Sequence, residues 1–305
     1  MNMRSRSLSH LFCFLAILTW STHEILSKFV HLSPYTLTAW RFFIGGLVIL
    51  PFALKALRDN PQKPRLKDLA LMALLGILNV CISMLLLQVS VHYGKASISA
   101  VLVSSNPLFV SVFAMLILRE KLSLPQILGL IVASVGIILL IFGEVDFGAD
   151  KYLNLPLSFV YGLGASLSFG LYLVLTKKTV EKHGNVVTNG FSFFFGAIVL
   201  FVINAIIGEP LGFELTLVNA GAMFWFGVII SGLSYVLFFE GAKLLGAGTS
   251  SMYFFLKPVL ASLLALIVLS EKLAPLQLIA IAVIVGGLTL SRVLKPAPSP
   301  RKSRA

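Results

Sequence analysis

Apolar residues run through this chain in blocks of about 20, separated by short polar breaks. Ten blocks stand out: 8–29, 35–54, 69–90, 96–118, 123–142, 154–176, 187–207, 217–239, 246–269 and 275–294. An α-helix rises about 1.5 Å per residue, so each block can cross a hydrocarbon layer of about 30 Å. The period-two alternation of a membrane β-strand is absent, and the blocks therefore predict helices. The expected fold class is an all-α membrane protein with ten transmembrane helices.

The pattern also repeats. Residues 97–142 (SISAVLVSSNPLFVSVFAMLILREKLSLPQILGLIVASVGIILLIF) lie over 248–293 (GTSSMYFFLKPVLASLLALIVLSEKLAPLQLIAIAVIVGGLTLSRV) without a gap. Pro107 falls on Pro258, Ser111 on Ser262, Ala114 on Ala265 and Gly136 on Gly287. Glu120-Lys121-Leu122 falls on Glu271-Lys272-Leu273, and Gln126 on Gln277. Upstream the likeness is fainter: Trp20-Ser21 and Ser27-Lys28 match Phe169-Gly170 and Thr176-Lys177, and Ser83 matches Ser234. The polar break GEVDFGADKYLN (143–154) near the midpoint separates a first repeat, 1–146, from a second, 147–305, which ends in a short basic tail. With five helices per copy, the second copy runs through the membrane upside down, as two inverted repeats about a pseudo-two-fold axis in the membrane plane. The stretch KALRDNPQKPRLKD (55–68) reads as a cytoplasmic loop, and the tail KPAPSPRKSRA as disordered.

Composition agrees with burial in lipid. The chain is 58% hydrophobic and 12% charged, with a mean hydropathy of +0.96, which excludes an ordinary soluble domain. A net charge of +12 invites a nucleic-acid reading, but its distribution argues for topology. With both termini inside, 18 Lys and Arg fall on the inner side and only Lys95, Lys151 and Lys272 on the outer. That is the positive-inside bias of a multi-pass protein with cytoplasmic termini, and no nucleic-acid partner is expected. The first helix follows Arg4 and Arg6 like a signal peptide, but it is too long and lacks a small-residue cleavage site, so it reads as retained. Cys13 and Cys81 have neither disulfide nor metal spacing and read as small core residues. Phosphate loops, zinc motifs and nucleophile elbows are all missing from the sequence, so neither an enzyme nor a cofactor is expected.

Ionisable groups inside a membrane are costly and hence candidates for function. Lys257 lies midway along the ninth helix, directly before Pro258, which removes a backbone donor and predicts a kink. Ser250, Tyr253 and Lys257 have the spacing of one helix face, and their counterparts in the first repeat are Ser99, Leu102 and Asn106, the last before Pro107. Two proline-interrupted helices at corresponding places point to a substrate site, with Pro107 and Pro258 as hinges. Lys257 fits either an anchor for an anionic cargo or a structural partner for a carboxylate inside the bundle. Glu24 has Lys28 four residues on, which suits a salt bridge at the rim; it also suits a proton acceptor or a partner for Lys257. Arg41 opens the second helix, where anchoring at the interface and substrate contact are both open. Trp20, Gln88, Ser105 and Tyr235 complete the set of candidate cavity residues; His23, beside Glu24, is a further titratable group.

The stretches AWRFFIGGLVILP (39–51), SSNPLFVSVFAMLILREKLSLPQILGLIVASVGIIL (104–139) and FLKPVLASLLALIVLSEKLAPLQLIAIAVIVGGLTL (255–290) resemble the EamA-type members of the drug/metabolite transporter superfamily. That resemblance implies ten helices with cytoplasmic termini, a central cavity between the halves, and export of small metabolites or amino acids. Many such proteins have an acidic residue where this chain has Lys257, and the reversed charge favours a cargo with a carboxylate or other anionic group. The expectation is a secondary-active or facilitative carrier, an exporter working by alternating access in the bacterial inner membrane. Its partners are a small-molecule substrate and the lipid bilayer; coupling to protons or none at all, and monomer or homodimer, stay open. The alternative is an amino-acid or lipophilic drug exporter in which Lys257 is structural. A membrane enzyme or scaffold is disfavoured, since no reactive residues cluster and a scaffold has no need of mirrored broken helices.

Overall fold

The computed structural model describes residues 3–59, 63–94, 96–144, 154–268 and 275–293. Lys95, the midpoint break with Asp146, Asp150 and Lys151, the turn carrying Glu271 and Lys272, and the basic tail lie outside the described residues. Among the described residues there are helices and turns but no strand.

The helices form ten spans. Span 1 is Met3–Trp20 with the short continuation His23–Ser27, and span 2 is Pro34–Asp59. Span 3 is Leu66–Tyr93, and span 4 is Ala96–Val103 with Asn106–Leu118. Spans 5, 6 and 7 are Leu124–Glu144, Leu155–His183 and Asn185–Ile207, and span 8 is Leu217–Leu245. Span 9 is built of Ala247–Ser251, Met252–Phe255 and Leu256–Val268, and span 10 is Pro275–Val293. Seven of these, spans 2 to 8, are long and apolar enough by themselves to cross a membrane. Large apolar side chains stay uncovered along the flanks, with Leu116, Ile206 and Ile267 each more than 70% exposed. Such a band suits lipid, not water. Ten alternating passes bring residues 3 and 293 to one side, the termini side; the other is the far side.

Several helices end later than hydropathy predicts. Span 2 continues through Lys55–Asp59 and span 3 begins at Leu66, so both ends of the expected loop are helical, and span 6 runs on through Lys177–His183. Polar residues at a helix end are solvated beyond the apolar layer, and hydropathy alone cannot see that they remain helical. The proline signals behave as anticipated, with a refinement. The breaks lie just before Pro107 and Pro258, at Ser104–Ser105 and in the 3-10 turn Met252–Phe255, and each proline sits in the first turn of the next segment. Proline has no N–H to offer there, and the first turn needs none. Spans 3 and 8 each contain a wide π-helical stretch, Ile77–Met84 and Phe224–Leu233. The hydroxyls of Ser83 and Ser234 donate to the carbonyls five residues back, Leu78 and Ile229, at 2.9 and 2.7 Å.

The two halves pack as mates. Span 5 lies along span 10 and span 2 along span 7; span 1 lies on span 8 as span 6 lies on span 3. The glycine contacts give the register residue by residue. A Cβ on Gly136 would stand 2.7 Å from Ile284, and one on Gly287 would stand 2.6 Å from Ala133. Gly45 meets Gly227 and Ser231, while Gly196 meets Gly76 and Val80. Every residue in these contacts is exchanged for the one 151 positions away, the offset between 97 and 248. Spans 1 and 6 follow an offset of 149: Cys13 against Gly241 mirrors Gly162 against Ser90. Small residues thus let helix backbones approach closely where lipid offers no competing hydrophobic force.

Candidate functional site

The axis that relates the halves passes through a cavity. Three mate pairs line it together: Trp20 with Phe169, Met84 with Tyr235, and Val103 with Phe254. The breaks of spans 4 and 9 and the π-helical turns of spans 3 and 8 lie beside these residues and aim them inward. The rings form a connected wall. Trp20 packs against Tyr235, Phe238 and Phe254 with centroids 4.8, 5.2 and 5.4 Å away, and its indole N–H donates to the Ile230 carbonyl at 3.0 Å. The cavity is about 30 Å3, room for about two waters, so a metabolite enters only when the wall opens.

His23, Arg41 and Lys257 line the same cavity, and they break its symmetry. Their mates are Tyr172, Ser192 and Asn106, none of which is charged. Lys257 is 3% exposed, and its ammonium donates to the carboxylate of Glu24, itself 1% exposed. His23 Nδ1 stands 3.8 Å from the same carboxylate, and its Nε2 accepts from the Arg41 guanidinium. Arg41 also lies 4.7 Å over the ring of Phe42. Glu24 Oε2 and Arg41 Nε have no hydrogen-bond partner. Two basic side chains therefore stand near one carboxylate at the centre of the bundle, and only Lys257 bonds to it.

This arrangement decides between several readings left open by the sequence. Glu24 does not bridge to Lys28: its carboxylate accepts from Lys257, and Lys28 Nζ donates to the Gly94 carbonyl at 2.8 Å. Arg41 is no interface anchor: it is only 2% exposed. The face drawn through Ser250, Tyr253 and Lys257 fails, since the 3-10 turn breaks the α-helical period. Tyr253 instead meets His10 Nδ1 with its hydroxyl at 2.7 Å, and Phe254 takes its place at the cavity. Ser105 is buried against Ser166 at 3.0 Å and the Leu102 carbonyl at 2.6 Å. Gln88 and Asn106 are buried too, with Gln88 Oε1 and both amide atoms of Asn106 unpartnered, but neither lines the cavity. Of the candidates, Trp20, Arg41, Tyr235 and Lys257 come together, with Glu24 behind Lys257. Phe169, Met84, Val103 and Phe254 were missed, although their repeat positions carried the signal. Among the described residues no group of side chains has the makings of a metal site.

A second space opens at the far side. A vestibule of about 710 Å3 lies between the turn before span 2 and the start of span 8, lined by His31, Ser33, Glu214 and Asn219.

Comparison with known proteins bears on this geometry. The model of the EamA-like transporter family matches residues 7–142 and again 157–293. An uncharacterized transporter of Clostridium kluyveri is 34% identical over 283 residues, covering 91% of either chain. The uncharacterized transporter YyaM of Bacillus subtilis is 26% identical over 92% of each, and Protein PecM of Dickeya dadantii 27% identical over 71% of each. A crystal structure 20% identical in sequence superposes with a TM-score of 0.75 over 94% of this chain and 97% of its own, a likeness of fold.

Proposed function

As this chain belongs to the EamA-like transporter family, within the drug/metabolite transporter superfamily, we propose that it exports a small anionic metabolite by alternating access. One observation carries the choice of an anion. Arg41 is buried beside the cavity, where its guanidinium donates to a histidine ring and lies over a phenyl face with Nε unpartnered, while the nearby carboxylate of Glu24 is taken by Lys257. A buried cation without a counter-charge is costly, and a cargo carboxylate or phosphate supplies one. The Trp20, Phe169, Tyr235 and Phe254 rings suit the apolar body of such a cargo.

The basic residues favour a cytoplasmic termini side, and the bacterial relatives a plasma membrane. The vestibule then faces outward, the side to which an exporter delivers. Among the described residues Glu24 is the one carboxylate at the site and the natural carrier if protons are coupled; uncoupled exchange would leave it paired throughout.

A second reading has an observation of its own. The Glu24 pair satisfies Lys257, so Lys257 serves structure even where Arg41 binds cargo; an amino-acid cargo then needs Arg41 alone and a lipophilic drug neither cation. Metabolite profiles of cells with and without the protein, followed by flux in proteoliposomes, test the proposal. The expected outcome is export of a compound with a net negative charge, competed by other anions. Export of cations or neutral compounds alone overturns it.

A further inference from the structure

On the termini side, two ion pairs tie the halves together. Lys182, near the end of span 6, donates to Asp68 in the first turn of span 3 at 2.6 Å, and His183 lies 3.5 Å from the same oxygen. Lys177, deeper in span 6, donates to Glu120 in the turn between spans 4 and 5. Beside them span 6 lies hard against span 4, where a Cβ on Gly170 would stand 2.9 Å from Phe109. This side is shut.

The repeat holds its own control. Asp68 corresponds to Asn219 at the start of span 8, and Lys182-His183, just before span 7, to the turn His31–Ser33 just before span 2. These mates do not bond to each other; they line the open vestibule. For the Asp68–Lys182 pair the same elements are thus bonded on one side and unbonded on the other, where the turn and the start of span 2 hold instead to the segment after span 7 through Ser33–Glu209 and Thr36–Pro210. The counterpart of Glu120, Glu271, lies outside the described residues. Inverted repeats reach their second state by exchanging the conformations of the two halves.

We propose that Asp68–Lys182 and Glu120–Lys177 form a lock across the two halves, which opens as the turn His31–Ser33 closes on the start of span 8. The lock rests on the alternating-access reading of the previous subsection and adds residues far from the central cavity. Its strength suits a gate that opens at every turnover. The Lys182 side chain is 49% exposed, and Lys177 and Glu120 are 28% and 26% exposed, so water screens both pairs. Each then biases the equilibrium by about two- to fivefold, enough to set a resting state without trapping it. Asp68 is held for the role: its second oxygen accepts from its own helix start, the Arg65 N–H, at 2.9 Å.

The test is a distance measured without transport. Spin labels at His31→Cys and Val218→Cys, in a Cys13→Ala, Cys81→Ala background in liposomes, report the width of the vestibule. Lys182→Gln and Lys177→Gln leave the Asp68 cap intact, and each is expected to raise the short-distance population about two- to fivefold, more in the double variant. The exchange Glu120→Lys with Lys177→Glu is expected to return the starting distribution. Distributions unchanged in all three lysine variants, with the protein monodisperse and helical, overturn the lock; so does an exchange variant that behaves like Lys177→Gln. Because no cargo is needed, a negative result here leaves the anion-export reading standing, and failure of that reading leaves this one.

Discussion

The ammonium of Lys257 in span 9 donates to the carboxylate of Glu24 in span 1, so a fully buried ion pair joins the two inverted halves at the centre of the bundle. Removing one partner strands the other charge away from water. Glu24→Gln or Lys257→Met alone is expected to cost about 3–5 kcal/mol, while Glu24→Leu with Lys257→Met together costs much less than the sum. Thermal unfolding in detergent measures it. Additive losses would show that the two side chains do not share their charge.

Arg41 is expected to govern affinity. Charge-assisted hydrogen bonds are worth about 1.5–3 kcal/mol, so Arg41→Gln should raise the KM for an anionic cargo at least about tenfold. Arg41→Lys keeps the charge and loses the planar fork, and should fall between. The dependence of flux on cargo concentration reads this directly, and three equal values would remove Arg41 from the binding site.

Gly287→Ala should destabilise spans 5 and 10, because its Cβ would meet the backbone of Ala133 at 2.6 Å. A cost of about 1–3 kcal/mol is expected. Gly286→Ala next to it, with nothing within 4 Å, should be neutral. The difference in unfolding temperature between the two variants checks the register of the helix pair.

Ser83→Ala and Ser234→Ala remove matching hydroxyls from the π-helical turns of spans 3 and 8. Ser83→Ala loses one hydrogen bond worth about 0.5–1.5 kcal/mol, and Ser234→Ala loses two, since that hydroxyl also bonds Thr19 at 2.6 Å. If the turns aim Met84 and Tyr235 at the cavity, both variants should also lower the maximal rate of flux, whereas a purely structural hydroxyl would leave it unchanged.

Much of this was legible beforehand. The spans follow from apolar length, and the breaks before Pro107 and Pro258 from missing donors. The repeat told that the mates Lys257 and Asn106 differ, and that difference runs on through Arg41 and Ser192. What could not be read was rotation about the helix axis. Tyr253 and Phe254 are neighbours in sequence, and only the 3-10 turn decides which of them reaches the cavity. Arg41 looked peripheral because its distance from the helix start was counted along the chain. Depth in a bundle also depends on what packs around it: here His23 and Phe42 enclose the guanidinium. The π-helical turns leave no trace in hydropathy, since the apolar run is the same whichever carbonyl each N–H reaches.

The connection between spans 6 and 7 is Gly184 alone, at φ +87°, where its counterpart between spans 1 and 2 spends the six residues 28–33. One connection is a tight corner that side chains other than glycine resist; the other is a longer turn held at its ends by Lys28 on Gly94 and Ser33 on Glu209. Halves that match helix for helix are therefore sprung differently at their two ends. The symmetry that pairs Trp20 with Phe169 across the cavity stops at these corners, and the two halves are free to bend by different amounts where they turn back.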